Sequence, residues 1–232
     1  MSRELKQIAT IYTDFPEKFG IPRQSGLVKN LRGKIIFLPA YRNPEAVRGL
    51  DGYSHLWLLW EFSKAIRKDW SATVTPPRLG GKKKMGVFAT RSPFRPNPIG
   101  LSSVRLESME MDEQDGPVII VSGVDMLDGT PIYDIKPYLP YTDSHPEAAS
   151  GFAAEVEEHR LAVNFPEELL CLIEETEQGN IIEILEQDPR TAFIHDEKRV
   201  WGVAYGIYNI RFTVRDEVLT VCEVTLKDSF FA

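Results

Sequence analysis

The feature that most limits what this chain can fold into is the way glycine and proline cut its first 140 residues into short pieces. β-Branched and aromatic runs at 8–12, 34–38, 55–61, 87–89, 102–106, 118–121 and 133–135 are each closed off by nearby turn-forming residues. Proline removes a backbone donor and fixes φ, while glycine tolerates left-handed turns, so this punctuation favours short strands over long helices. Short strands at such close spacing predict a β-barrel or sandwich. Helical cues are faint: Asn43-Pro44 reads as an N-cap with proline at the first helical position, and 62–68 offers a second. The 16 glycines and 16 prolines are ordinary in number, so it is their bunching that carries the argument.

Residues 141–151 are polar, small and turn-rich, and read as a linker. Beyond them the texture changes. From Asn164 onward, acids in a first turn and Leu169, Leu172 and Ile173 at helical spacing predict a helix, with a second over 181–187. Residues 201–213 and 218–225 alternate as paired strands joined by an Arg215-Asp216-Glu217 turn. The expected architecture is mainly β: a barrel domain over 1–140 followed by a small α+β domain over 152–232. No segment reaches the ~18 consecutive apolar residues of a membrane span, and the N-terminus lacks a secretory apolar core, so the cytoplasm is the expected location. Cys171 and Cys222, each inside an apolar run, are expected to be free, buried thiols.

The net charge of −7 argues against a polyanionic partner until its distribution is mapped. No acid occurs over 18–44, where six basic residues lie, or over 70–106, where Arg78, Lys82, Lys83, Lys84, Arg91, Arg95 and Arg105 lie. Residues 151–232 reverse the balance, with 17 acids against 7 basic residues. One half attracts polyanions and the other repels them. Tyr41, Trp70, Phe88 and Phe94 interleave the basic stretches, the composition of a surface that contacts phosphates and stacks bases.

The densest chemistry lies over 86–100. Three prolines within 93–98 forbid helix and interior strand, so Arg91, Arg95 and Asn97 project from a stiff loop that loses little entropy on binding. The arginine forks suit a carboxylate or phosphate, although a rigid structural turn with incidental arginines has the same composition. In the segment 125–138, alternation places Asp134, Lys136 and Tyr138 on one face and Tyr133, Ile135 and Pro137 on the other. The first trio could orient or deprotonate a substrate, or be a surface ion pair beside a spectator tyrosine. His55 opens an apolar strand, where a buried histidine holding one hydrogen bond is the commoner case. The histidines and cysteines show no metal-ligand spacing, so no metal is expected. Dinucleotide, phosphate-loop and nucleophile-elbow signatures are absent from the sequence.

Arg91-Ser-Pro-Phe-Arg-Pro-Asn-Pro-Ile-Gly100, Pro22-Arg23-Gln24, Ser54-His55-Leu56, the run from Asp128 to Tyr138 and Gln187-Asp188-Pro189-Arg190 together resemble the TsaA/TrmO family of tRNA methyltransferases. The resemblance covers nearly the whole chain, departing from it at Ala192-Phe193 and in the final tail. It implies transfer of a methyl group from S-adenosylmethionine to N6 of threonylcarbamoyladenosine beside the anticodon, chiefly in threonine tRNA. It also implies a TsaA-like β-barrel that binds its cofactor as a homodimer. By motif position, Pro22, Arg23, Gln24, His55, Arg91, Leu101, Asp128, Gly129, Thr130 and Pro131 would surround the cofactor. Arg95, Asn97, Lys136, Tyr138, Asp188 and Arg190 would contact the tRNA substrate, and Tyr133 and Asp134 would assist the proton that must leave N6. The alternative is a non-catalytic RNA-binding barrel, which predicts no affinity for S-adenosylmethionine; a ribonuclease using His55 is a third reading, which predicts RNA cleavage.

Overall fold

The computed structural model describes residues 4–76, 83–156, 160–190 and 196–227. The first sheet-forming strands are β1 (Ala9–Thr13), β2 (Arg32–Phe37), β3 (His55–Glu61), β4 (Thr73–Val74), β5 (Met85–Gly86), β6 (Ile99–Asp112), β7 (Gly116–Ser122) and β8 (Thr130–Pro137). Six of them close a barrel in the order β1-β2-β7-β6-β3-β8, and β4 pairs β5 as a small ladder outside it. All the barrel pairings are antiparallel. In β3 the alternation of the sequence is realised directly. Leu56, Leu58 and Trp60 point into the core, while His55, Trp57, Leu59 and Glu61 face outward.

One glycine makes the inner packing possible. A Cβ on Gly100 would lie 2.2 Å from the Trp60 indole, so only glycine lets that ring lie against β6. The indole Nε1 then donates to the buried Ser102 hydroxyl at 2.9 Å.

After the barrel come α1 (Pro140–Asp143), a 3-10 turn over Gly151–Val156, β9 (Ala162–Asn164), α2 (Glu167–Leu170), α3 (Glu175–Glu186), β10 (Trp201–Tyr205), β11 (Tyr208–Arg215) and β12 (Val218–Leu226). The second sheet has the order β10-β11-β12-β9. The β11–β12 hairpin turns at Asp216 and Glu217, with φ of 46° and 61°, the left-handed pair that matches strand twist.

The two sheets share one apolar core. Phe15, just after β1, meets Tyr205 edge-on at 5.4 Å, and Phe19 stacks on Trp201 at 6.0 Å. Gly206 N donates to the Asp14 carbonyl at 2.7 Å, and the Tyr205 hydroxyl donates to Glu177 at 2.9 Å. Burial, with Glu177 and Asp128 close by, pushes the Asp14 carboxyl up from its ordinary range. The second unit therefore sits on the barrel end formed by the close of β1 and the loop that follows it.

Several local expectations change. Residues 87–89 form a 3-10 turn rather than a strand, because β5 ends at Gly86 and the chain must bend into the proline loop. Residues 62–68 close only one turn, from Ala65 N to the Phe62 carbonyl, and Asn43 caps a 3-10 rather than an α-helix. The 201–213 run is two strands broken at Gly206, whose φ is 53°. The helix expected from 164 stops after Leu170, leaving Leu172 exposed, and 181–187 is the later part of the longer α3. Cys171 and Cys222 are free but exposed, since each occupies a solvent-facing position of its segment. His55 is also exposed, with Nδ1 beside the Ser54 hydroxyl at 3.0 Å, because strand alternation turns it outward. Ala192, Phe193 and His195, together with the final tail, lie outside the described residues.

Candidate functional site

The strand polarity brings one set of loops to a single end of the barrel: 14–31, the start of β6 with its proline loop, and 123–129. Within the proline loop, Arg95 donates to the Thr90 carbonyl at 3.1 Å, which helps fix the curve, and Ile99 N donates to the Asn97 carbonyl at 2.7 Å. Arg91 is exposed and hydrogen-bonds the Gln24 side-chain carbonyl. The Gln24 amide also donates to the Arg23 carbonyl at 2.5 Å. This joins the Pro22-Arg23-Gln24 segment to the loop, although they are 67 residues apart at Arg91 and Gln24.

The second unit reaches the same place. Arg23 donates to the Asp188 carbonyl at 3.4 Å, and Arg190 makes a two-pronged pair with Asp188 at 2.7 and 2.9 Å. Asp188 has a φ of 51°, so the end of α3 turns sharply back toward the barrel. A cleft of about 290 Å³ opens there, lined by Phe19, Pro22, Arg23, Ile184, Asp188 and Arg190 among others. The turn 128–131 is stapled to β1: Thr13 N donates to the Asp128 carboxylate at 2.9 Å, and Asp128 N to the Phe15 carbonyl at 2.8 Å. Gly129 has φ of 73° and open space where a Cβ would stand, leaving its backbone accessible.

Beneath these loops lies a residue that motif reading passed over. Asp125 is half-buried and accepts from the Ser102 hydroxyl at 2.6 Å. Burial pushes its carboxyl up to about 6, against the pull of Ser102, the backbone of Asp125 and Ser25, and the Arg91 charge. Trp60, Ser102, Asp125 and Ser25 thus form a polar chain under the Arg91 loop. The available signal was a single acid among the buried Val124 and Met126. Glu61 was likewise visible only as an interruption of an apolar run.

Tyr133 and Asp134 depart from simple alternation. The β3–β8 register slips between Leu59 and Trp60, so Leu59 faces Asp134 and Trp60 faces Ile132. Tyr133 is the extra residue of this bulge, and its hydroxyl hydrogen-bonds outward-facing Glu61. Burial and the Glu61 charge push the phenol up to about 12. Tyr133 therefore shares the outer face with Asp134 instead of opposing it, and it is a donor at neutral pH rather than a proton acceptor. Leu101, 56% exposed, completes the row through its pairing with Leu59. Asp134 pairs with Lys136 at 3.0 Å.

The structure separates the rest. His55 opens β3 and Glu61 ends it, so His55 stands about 20 Å along the strand from the mouth at ~3.3 Å per residue. Tyr138 packs there against Trp57 and His55, with centroids 5.5 and 6.2 Å apart. Asn97 is exposed on the proline loop, and so are Lys83 and Lys84 on the approach to β5, whereas Arg78 and Lys82 lie outside the described residues.

Comparison with known proteins places this geometry. The family model of the tRNA-methyltransferase O N-terminal domain matches residues 10–144, and that of the TrmO C-terminal domain matches 158–227. A tRNA (adenine(37)-N6)-methyltransferase of Escherichia coli K12 is 41% identical over 223 residues, covering 93% of this chain and 94% of that protein. A Pseudomonas aeruginosa relative named as a candidate S-adenosylmethionine-dependent methyltransferase, RcsF, is 41% identical over 214 residues, with 89% of each chain covered. A crystal structure of TrmO from Pseudomonas aeruginosa superposes with a TM-score of 0.77 at 34% identity, covering 97% of this chain and 100% of that one. With both family models matched and the barrel, its mouth and the second sheet all in place, the chain belongs to the TrmO family of tRNA methyltransferases.

Proposed function

We propose that this protein is an S-adenosylmethionine-dependent methyltransferase acting in the cytoplasm on N6 of the adenosine beside the anticodon of tRNA, with threonylcarbamoyladenosine of threonine tRNA as its preferred target. The observation that carries the reading is the convergence, from two parts of the chain, of Arg91, Gln24, Arg23, Asp188 and Arg190 on one barrel mouth.

The donor set there suits the cofactor. An amino acid carboxylate needs a planar fork, and Arg91 spends one of its five N–H donors on Gln24. Exposed Leu101 offers apolar surface, buried Pro22 backs the Arg23–Gln24 segment, and the Asp128–Gly129 turn offers a carboxylate and an open backbone for a base edge or ribose hydroxyls. When bound, S-adenosylmethionine supplies an electrophilic methyl group on sulfur. The chain's own task is to hold the acceptor nitrogen in line and receive its proton. Asp134 is the candidate acceptor, with Lys136 beside it, and Tyr133 orients through Glu61. In this reading the 1–140 barrel holds the cofactor and the 152–232 unit closes over the mouth. Arg190, gripped by Asp188, offers its remaining N–H donors to the threonyl carboxylate, a contact that unmodified adenosine cannot repay. The outer face carrying Leu101, Leu59 and Trp57 supports a homodimer.

The test is methyl transfer from labelled S-adenosylmethionine to tRNA with and without the threonylcarbamoyl group, read by nucleoside mass spectrometry. The reading expects N6 methylation of the modified tRNA, and a loss in Arg190→Ala that exceeds any loss of cofactor affinity. Wild-type turnover by Arg190→Ala removes the second unit from the site. Tight tRNA binding with no S-adenosylmethionine affinity would favour the non-catalytic barrel.

A further inference from the structure

The small β4–β5 ladder holds two large aromatic rings in water. Thr73 pairs with Gly86 and Val74 with Met85, and Val87 N donates to the Ala72 carbonyl at 2.9 Å. These bonds bring Trp70 and Phe88 together with ring centroids 6.0 Å apart. Phe88 is 72% exposed and Trp70 53%. A chain with a shared apolar core has buried sites for such rings, so leaving this pair exposed needs a reason.

The surroundings name the partner's chemistry. Lys84 precedes Phe88 by four residues and Arg91 follows it by three. Arg67 lies over the Phe94 ring at 3.6 Å, presenting its guanidinium beside the same proline loop. The only acid between residues 62 and 106 is Asp69. Aromatic faces set among cations, on a short ladder that leads straight into the Arg91 loop, suit a single-stranded nucleic acid.

Resting on the tRNA reading above, we propose that Trp70 and Phe88 form a stacking platform for an unpaired anticodon-loop base next to the methylated adenosine, while Lys83 and Lys84 hold the adjoining phosphates. The pair is a positioning device. It splays the loop so that the target adenosine reaches the mouth, and it reads no base edge, since every base has a π-face.

The experiment uses the full chain and an anticodon stem-loop RNA carrying 2-aminopurine at the positions flanking the target adenosine. Stacking on the platform quenches 2-aminopurine fluorescence. Trp70→Ala with Phe88→Ala is expected to abolish the quench and weaken binding by about 5- to 150-fold for each stacked base, the equivalent of about 1–3 kcal/mol. The slope of log Kd against log salt stays unchanged, as does affinity for S-adenosylmethionine, and Trp70→Phe restores most of the binding. Lys83→Glu with Lys84→Glu does the opposite, flattening the salt slope and sparing the quench. RNA affinity and quench equal to wild type in the aromatic double variant overturn the platform, as does a change in self-association without a change in RNA binding. Wild-type protein that binds S-adenosylmethionine but no stem-loop overturns the tRNA reading itself, a separate outcome.

Discussion

Asp125→Asn isolates the half-buried carboxyl under the Arg91 loop. In the folded protein burial pushes this group from 3.8 up to about 6, although Ser102, two backbone amides and Arg91 all favour its ionised form. Because the folded value is the higher one, the protonated group stabilises the fold below pH ~4, and that contribution is lost as pH rises through about 6. The full difference amounts to about 3 kcal/mol at ~1.4 kcal/mol per tenfold change in proton affinity. Asparagine cannot ionise, so the stability of Asp125→Asn relative to wild type should rise by about 2 kcal/mol between pH 4.5 and 7 and then level off. A constant offset from exchanging the protonated carboxyl for an amide beside Ser102 is added on top and does not vary with pH. Urea titrations of both proteins at half-unit pH steps measure the difference, in which the other carboxyls cancel. A difference that is flat with pH, or that falls as pH rises, would refute the assignment of an acid whose ionised form is disfavoured by partial burial.

Arg91→Ala should weaken S-adenosylmethionine binding by about 10- to 100-fold, the worth of a charged hydrogen-bonding fork, while leaving the melting temperature near wild type because the side chain is exposed; calorimetry and thermal melting check both halves. Gly100→Ala puts a methyl 2.2 Å from Trp60 and should cost about 1–3 kcal/mol by overpacking, with a shifted tryptophan emission as the indole leaves Ser102. Phe15→Ala, at a residue 1% exposed, should cost about 3–5 kcal/mol. Since Phe15 packs on Tyr205 within one core, both sheets should still unfold in a single transition; two calorimetric transitions in wild type would contradict the shared core.

How far each feature could be read from sequence depended on its range. The outward turn of Trp57 and the inward turn of Leu58 follow from alternation in β3, and the stiffness of the Arg91 loop follows from Pro93, Pro96 and Pro98. The expected mainly β architecture, with a TsaA-like barrel and a smaller α+β unit, agrees with the closed barrel and the second sheet. Local rules failed where a neighbour intervened. The bulge at Tyr133 arises from pairing with β3, and nothing in residues 130–137 alone announces it. His55 sits in the same motif list as Arg91, yet strand direction puts it at the other end of β3.

The short strands, the turns, the proline loop and the two basic stretches are legible along the chain alone, because backbone restriction and charge are properties of residues in place. Long-range packing sets which loops share the mouth, that Asp188 meets both Arg23 and Arg190, and that Asp125 lies half-buried beneath Arg91. Those facts arise from contacts between segments tens to more than a hundred residues apart, and from a burial that exists only once the barrel closes. A carboxyl near its ordinary range in the unfolded chain becomes one of about 6 through water excluded by distant strands.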